Sequence, residues 1–160
     1  MLFYVKMLLN YMSFRRHIIV TMVTLCSKKP QNYLRPWIII FLIDKDKNFV
    51  GTSIGAGMGI EAEALSSKTS QLPNVAFETP KKVIGTNTVD SMKSGLIYQN
   101  AALVDGMIDR IEEEYGESCV LTATGRFASI IAPLCRHKII LDTDMMLKGL
   151  IEVYYKNQSV

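Results

Sequence analysis

The sequence predicts an α/β domain, and three observations carry that prediction. Trp37 to Ile43 (W-I-I-I-F-L-I) is a continuous apolar, β-branched run of the kind that fills a buried central strand. Residues 87–115 carry apolar side chains at helical spacing, opened by Asn87 and closed by Gly116. Short apolar runs and helical patterns then alternate to the C-terminus, giving the order β-β-α-α-β-α-β-α.

Each element has a local reason. Asp44-Lys45-Asp46-Lys47-Asn48 is a turn, and Phe49-Val50 begins the return strand of a hairpin. Gly51 to Gly57 reads as a Gly-rich turn leading into a helix from Met58 to about Thr69. Gln71 to Thr79 is a loop, and Val83-Ile84 is short and extended. The long helix follows, with Asn87 and Asp90 spaced as an approximate capping box. Its apolar face is expected at Val89, Met92, Leu96, Leu103, Met107 and Ile111, with Val104 and Ile108 beside them, and Glu112 to Glu114 solvated. A strand at Cys119 to Leu121, a helix over about 127–134, a strand over Lys138 to Leu141 and a helix capped by Asp144 complete the chain. In that last helix Leu147, Leu150, Ile151 and Tyr154 share a face.

Residues 1–36 read differently and are treated as an atypical N-terminal segment, disordered or helical, ahead of a domain over 37–160. They hold no Gly, Asp or Glu and keep no clean period. Lys6, Arg15 and Arg16 precede the apolar run Ile18 to Cys26. That run is short and is followed by Ser27-Lys28-Lys29-Pro30 rather than a small-residue cleavage site. Neither apolar piece reaches the roughly 20 residues that span a bilayer. A cytoplasmic protein with no membrane association is expected.

Composition narrows the function. Apolar residues make up 49% and charged residues 21%, which suits a packed domain. A net charge of +3, with scattered basic residues, gives no nucleic-acid footprint. Cys26, Cys119 and Cys135 are odd in number and widely spaced, so reduced thiols are expected. His17 and His137 have no ligand-like spacing, and no metal site is expected. No nucleophile–base motif is present, so no catalytic residue is assigned.

Three segments could hold a ligand. Gly51 to Gly57 would let backbone approach a nucleotide, or it is simply a tight connection. Thr122 to Gly125 ends a strand, on the edge that ligands favour in α/β sheets, although a lone T-x-T-G is weak. Gly85-Thr86-Asn87-Thr88 opens the long helix, where free N–H groups suit an anionic or hydroxyl-rich ligand but also need capping.

Taken in order, these segments resemble type III pantothenate kinase, of the acetate kinase/actin-like superfamily. The resemblance rests on Asp44 to Gly51 (D-K-D-K-N-F-V-G), the Gly-rich stretch Gly51 to Gly57, Leu72-Pro73-Asn74-Val75, the block Pro80 to Gly95 (P-K-K-V-I-G-T-N-T-V-D-S-M-K-S-G), Ala123-Thr124-Gly125, and Met145 to Leu150 with Tyr154 to Asn157. It covers about Ile40 to Asn157 and corresponds to the C-terminal half of that kinase. It implies a ribonuclease-H-like half-domain and a homodimer. It also implies a kinase that phosphorylates pantothenate with ATP in coenzyme A synthesis, using a divalent metal such as Mg and a monovalent cation, K or ammonium. By the same resemblance, Thr88 contacts pantothenate, while Gly51, Gly57, Thr124 and Gly125 lie near the nucleotide.

The departures from the family pattern are equally specific. The two phosphate loops and the catalytic Asp segment have no counterpart. Arg35-Pro36-Trp37-Ile38-Ile39-Ile40 stands where a D-x-G-T-A-T loop would precede the strand. Thr52 and Ala56 replace a Gly and a Pro of the first turn, and Arg126 replaces a Gly after Thr124-Gly125. A truncated, catalytically impaired kinase-like protein is therefore expected. The alternative is a non-catalytic remnant or a dimerising α/β binding domain.

Overall fold

The computed structural model describes residues 17–23, 37–68 and 72–158. One five-stranded sheet has the order β3-β2-β1-β4-β5. Its strands are β1 (His17–Val23), β2 (Trp37–Ile43), β3 (Phe49–Ala56), β4 (Val120–Gly125) and β5 (Ile140–Leu141). β2 runs antiparallel to both β1 and β3, whereas β1, β4 and β5 run parallel. The helices are α1 (Met58–Lys68), α2 (Thr88–Tyr115), α3 (Ala128–Ile131) and α4 (Met145–Gln158), and a 3-10 turn over Ala132–Leu134 extends α3.

The elements from β2 onward follow the predicted order. β1 is an addition. Its sequence, H-I-I-V-T-M-V, has no polar alternation to mark it as a strand. It pairs along both edges, His17 to Val23 with β2 and His17 to Met22 with β4. It therefore joins the β2–β3 hairpin to the β4–β5 pair, and the sheet begins ahead of Trp37. The rest of the N-terminal segment, residues 1–16 and 24–36, lies outside the described residues.

The stretch from Gly51 to Gly57 is not a turn. Gly51 to Ala56 belong to β3, which pairs with β2 from Ile43↔Phe49 to Trp37↔Ala56. Ladder hydrogen bonds need only backbone groups, so glycines do not prevent pairing on an edge strand. The turn lies earlier. Asp44 Oδ1 accepts from the backbone N–H of Asp46 (2.8 Å) and Asn48 (2.7 Å), and Lys47 takes a left-handed φ of 64°.

α2 is capped as predicted. Asn87 Oδ1 accepts from the Asp90 backbone N–H (2.9 Å), and Asn87 Nδ2 donates to Asp90 Oδ2 (2.8 Å). Gly116, at φ 75°, ends the helix and donates to the Glu112 carbonyl. The buried face lies slightly round from the predicted one. Ile97, Ala101, Val104 and Ile108 pack on Ile38, Ile40, Leu42, Leu121 and Ala123 of the sheet. Leu103, Met107 and Ile111 are only partly buried, and Val89 is exposed. Asn100 and Asp105 sit on the buried face, where a pattern of apolar residues could not flag them.

Asp105 has a structural use. Its carboxylate accepts from the backbone N–H of Arg136 (2.9 Å) and His137 (3.3 Å), fixing the bend after α3. Pro133 falls in the 3-10 turn, so the predicted helix over 127–134 divides there. At the C-terminus, Met145 and Gly149 are buried, and the predicted shared face of α4 points outward. Leu147 is 61% exposed and Tyr154 58%.

Candidate functional site

The register fixes which residues share an end of the sheet. Ala56 pairs with Trp37, Trp37 with Val23, Met22 with Gly125, and Ala123 with Leu141. Gly57, Thr124 and Gly125 therefore stand at one end, the C-terminal end of the parallel strands, with Thr124 and Gly125 as the last residues of β4. Gly51 pairs with Leu42, and Leu42 with Ile18, at the opposite end. α2 has 28 residues and spans about 42 Å, longer than any strand. Its C-terminal residues Met107, Ile111 and Tyr115 line a 340 Å³ cavity with Gly51. Thr88 lies 19 residues earlier, about 28 Å along the helix axis from Met107.

A cavity of about 930 Å³ opens between α1 and the start of α2, and Gly85, Thr86, Asn87 and Thr88 form part of its wall. The opposing wall carries Glu61, Ala64 and Leu65 of α1, which starts directly after Gly57. Thr88 and the Gly57 end of the sheet thus lie on the same side of the molecule. Gly51 lines a separate space.

The loop that shapes this cavity is strapped to α2. Lys93 Nζ donates to Glu78 Oε2 (2.8 Å), Tyr98 Oη to the Pro80 carbonyl (3.2 Å), and Ser94 Oγ to the Val83 carbonyl. Lys93 holds the Glu78 carboxyl below the usual carboxylate range. At Gly85 the backbone passes so close to the helix start that a Cβ would lie 2.7 Å from the Asp90 carbonyl carbon. Only glycine fits there.

Glu61 was not singled out from sequence. Its Oε2 accepts from Asn100 Nδ2 at 2.6 Å, and the same amide nitrogen donates to the Leu96 carbonyl at 2.8 Å. Burial raises the Glu61 carboxyl above its ordinary value of 4.5, and the Asn100 hydrogen bond opposes that rise. Asn100 is fully buried, and its Oδ1 has no partner among the described residues. Asn100 lies 39 residues from Glu61. The one sequence signal was an amide standing where an apolar residue would continue the α2 stripe.

Across the Gly85–Thr86 segment, a second cavity of about 470 Å³ is lined by Lys81, Lys82, Lys93 and Asp90. Thr124 is 3% exposed within β4, and Gly125 ends that strand at φ 101°, a conformation that favours glycine. Beside it, the Arg126 guanidinium lies 5.6 Å from the Phe127 ring centroid. Asp142 accepts from the Asp144 backbone N–H (3.1 Å) and from Lys148 Nζ (2.8 Å), so its carboxylate is spent on the turn into α4. Among the described residues, no three His, Cys, Asp or Glu side chains converge as a metal site. No described helix is long and apolar enough to cross a membrane.

The sequence model of the type III pantothenate kinase family matches residues 38–110. A type III pantothenate kinase from Thermus thermophilus is 39% identical over 113 residues, 71% of this chain and 44% of that protein. One from Paramagnetospirillum magneticum is 36% identical over 118 residues, and one from Desulforapulum autotrophicum 46% over 103. The likeness is to the C-terminal half of a type III pantothenate kinase.

The chain spans less than half the length of these type III pantothenate kinases, 45% and 39% of the latter two. The family match takes in β2, β3, α1 and most of α2, and with them every described wall of the large cavity. Thr124 and Gly125 fall beyond it. In fold, the chain is similar to a Campylobacter jejuni crystal structure described as a conserved Baf family transcriptional activator. The TM-score is 0.60 and the identity 14%, covering 98% of this chain and 65% of that one.

Proposed function

We propose that this chain is the pantothenate-side half of a type III pantothenate kinase-like unit, which binds the pantothenate skeleton but does not by itself transfer phosphate. The observation that carries this reading is the cavity between α1 and α2. It is walled by Gly85 to Thr88, inside the most specific block of the family match. The strand order, with an antiparallel β1–β2–β3 meander and parallel β4 and β5, supports reading the domain as a ribonuclease-H-like half. Residues 37–160 are its family-like part, and β1 serves as its inner strand.

Thr88 is proposed to contact pantothenate. Gly57, Thr124 and Gly125, at one end of the sheet, are the nucleotide-side candidates. Gly51 is at the other end and would take part only indirectly, through β3. Phosphoryl transfer needs cradled phosphates, charge neutralisation and a base for the attacking hydroxyl. The donor set at this end of the sheet does not meet that need. β1 carries no carboxylate in its sequence, and Asp142 is bonded to Lys148. The residues present do not fit a Mg²⁺–ATP centre or a monovalent-cation site, and no catalytic step is derived through either. ATP, the metal and the cation would require parts that the relatives carry beyond the matched half. A homodimer in the cytoplasm belongs to the same reading.

The test is direct. Titration of the ¹⁵N-labelled chain with pantothenate should shift the amides of Gly85 to Thr88 and of α1. Incubation with ATP, Mg²⁺ and pantothenate should yield no 4′-phosphopantothenate. Turnover comparable to a full-length relative would overturn the catalytic part of the reading, and unmoved cavity amides would overturn the binding part.

A further inference from the structure

A helix on the surface of a domain ordinarily turns its apolar stripe inward. α4 does the reverse. Its inner line is Met145, Gly149 and Val153, of which Gly149 has no side chain to pack and Val153 is half-buried. The broader stripe, Leu147, Leu150, Ile151 and Tyr154, repeats at i, i+3, i+4 and i+7 and is exposed throughout. Ile140 and Leu141 of the edge strand β5 are exposed as well. Tyr154 and Tyr155 meet edge to face at 5.7 Å, an aromatic pair of the kind enriched in interface cores.

The place of this stripe names its occupant. β5 runs parallel to β4, and Leu141 pairs with Ala123, so α4 leaves the sheet at the end where Thr124 and Gly125 stand. That is the end whose donor set does not suffice for phosphoryl transfer. The matching kinases carry more than half of their length outside the match, since this chain covers 44% of the Thermus thermophilus protein. We infer that the outward stripe of α4 is a docking face, in trans, for a separate domain homologous to that unmatched part. Such a domain covers the stripe and brings its own polar groups to the Thr124–Gly125 end. A second copy of this chain would cover the stripe but add to that end only the groups already present. The inference rests on reading this chain as one half of a kinase-like unit.

The experiment co-expresses the tagged full chain with the part of the Thermus thermophilus kinase that lies outside its match. The reference pair is that same fragment with the kinase's own matched part. The fragment should co-purify with the full chain as a one-to-one complex by light scattering. Leu150→Glu with Tyr154→Glu should weaken the complex at least tenfold, while Glu152→Gln, on the same helix but off the stripe, should change it less than twofold. Purification of the full chain without the fragment, when the reference pair holds together, would overturn the docking. So would a complex that the stripe variant leaves intact, or a stable pairing of two copies that the stripe variant abolishes. If the reference halves do not pair as separate chains, the fragment is joined to the full chain by a flexible linker. Amide exchange along α4 should then slow at least tenfold relative to the full chain alone, and unchanged exchange would overturn the docking. Pantothenate-induced shifts at Gly85 to Thr88 are read on the full chain by itself. Their absence overturns the pantothenate-side reading, whereas absence of the complex overturns only the docking.

Discussion

Asn100 Nδ2 lies 2.6 Å from Glu61 Oε2 and ties the middle of α2 to the first turns of α1 at the cavity wall. The pair is charge-assisted and half-buried, the setting in which a single hydrogen bond matters most. Asn100→Ala should cost about 1.5–3 kcal/mol in urea denaturation, since it leaves the Glu61 carboxyl without its donor. A change within 0.5 kcal/mol would mean that the pair contributes nothing net.

Glu61 also gives stability a pH signature. Its folded carboxyl lies above the ordinary 4.5, chiefly through burial. The folded state therefore holds this proton more tightly than the unfolded chain. Below 4.5 both states are protonated; as pH rises through the raised value, burying the charge costs stability. The difference in unfolding free energy, wild type minus Glu61→Gln, should fall as pH rises across that window. A flat difference would remove the burial effect.

Gly85→Ala should be among the most damaging single-methyl changes in the chain. The new Cβ would press on the backbone at Asp90 and Ser91, which cannot swing aside as a side-chain tip could. A loss of about 1–3 kcal/mol is expected, together with weaker ligand binding at Thr88. Gly51→Ala is the control, because a Cβ there meets nothing within 4 Å. Equal losses at the two positions would contradict the packing at Gly85.

Asn87 caps α2 through both side-chain atoms, so Asn87→Ala should cost about 1 kcal/mol. Asn87→Ser retains an acceptor and should recover most of that in thermal unfolding.

The outward face of α4 presents Leu147, Leu150, Ile151 and Tyr154 side by side, with Ile140 and Leu141 of β5 also exposed. Apolar surface of this kind promotes association. Dye binding by the native chain and concentration-dependent light scattering are expected. The double variant Leu150→Glu, Tyr154→Glu should reduce both without lowering Tm by more than a few degrees. A monodisperse wild-type chain at high concentration would refute this.

Much of the fold was legible in the sequence because it is written in local chemistry. The apolar run of β2 marks a buried strand, Asn87 and Gly116 bracket α2, and Asp44 to Asn48 make their own turn. The likeness to type III pantothenate kinases is equally a property of the linear order of segments, densest from Pro80 to Gly95. β1 was less legible, since its short apolar run carries no polar alternation. The glycines after Phe49 suggested a turn because pairing, which overrides glycine's looseness, comes from a partner strand.

The candidate site divides the same way. Thr88 could be placed at a helix start from its neighbours alone. Its separation from Gly51, the loop strapped along α2 and the meeting of Glu61 with Asn100 depend on register and packing between segments dozens of residues apart. The sequence by itself determined the elements, the caps and the family likeness, because those arise from contacts within a few residues. Tertiary structure alone decided which end of the sheet each glycine occupies and that Glu61 faces the cavity, because both are set by how the sheet pairs and where the long helix lies across it.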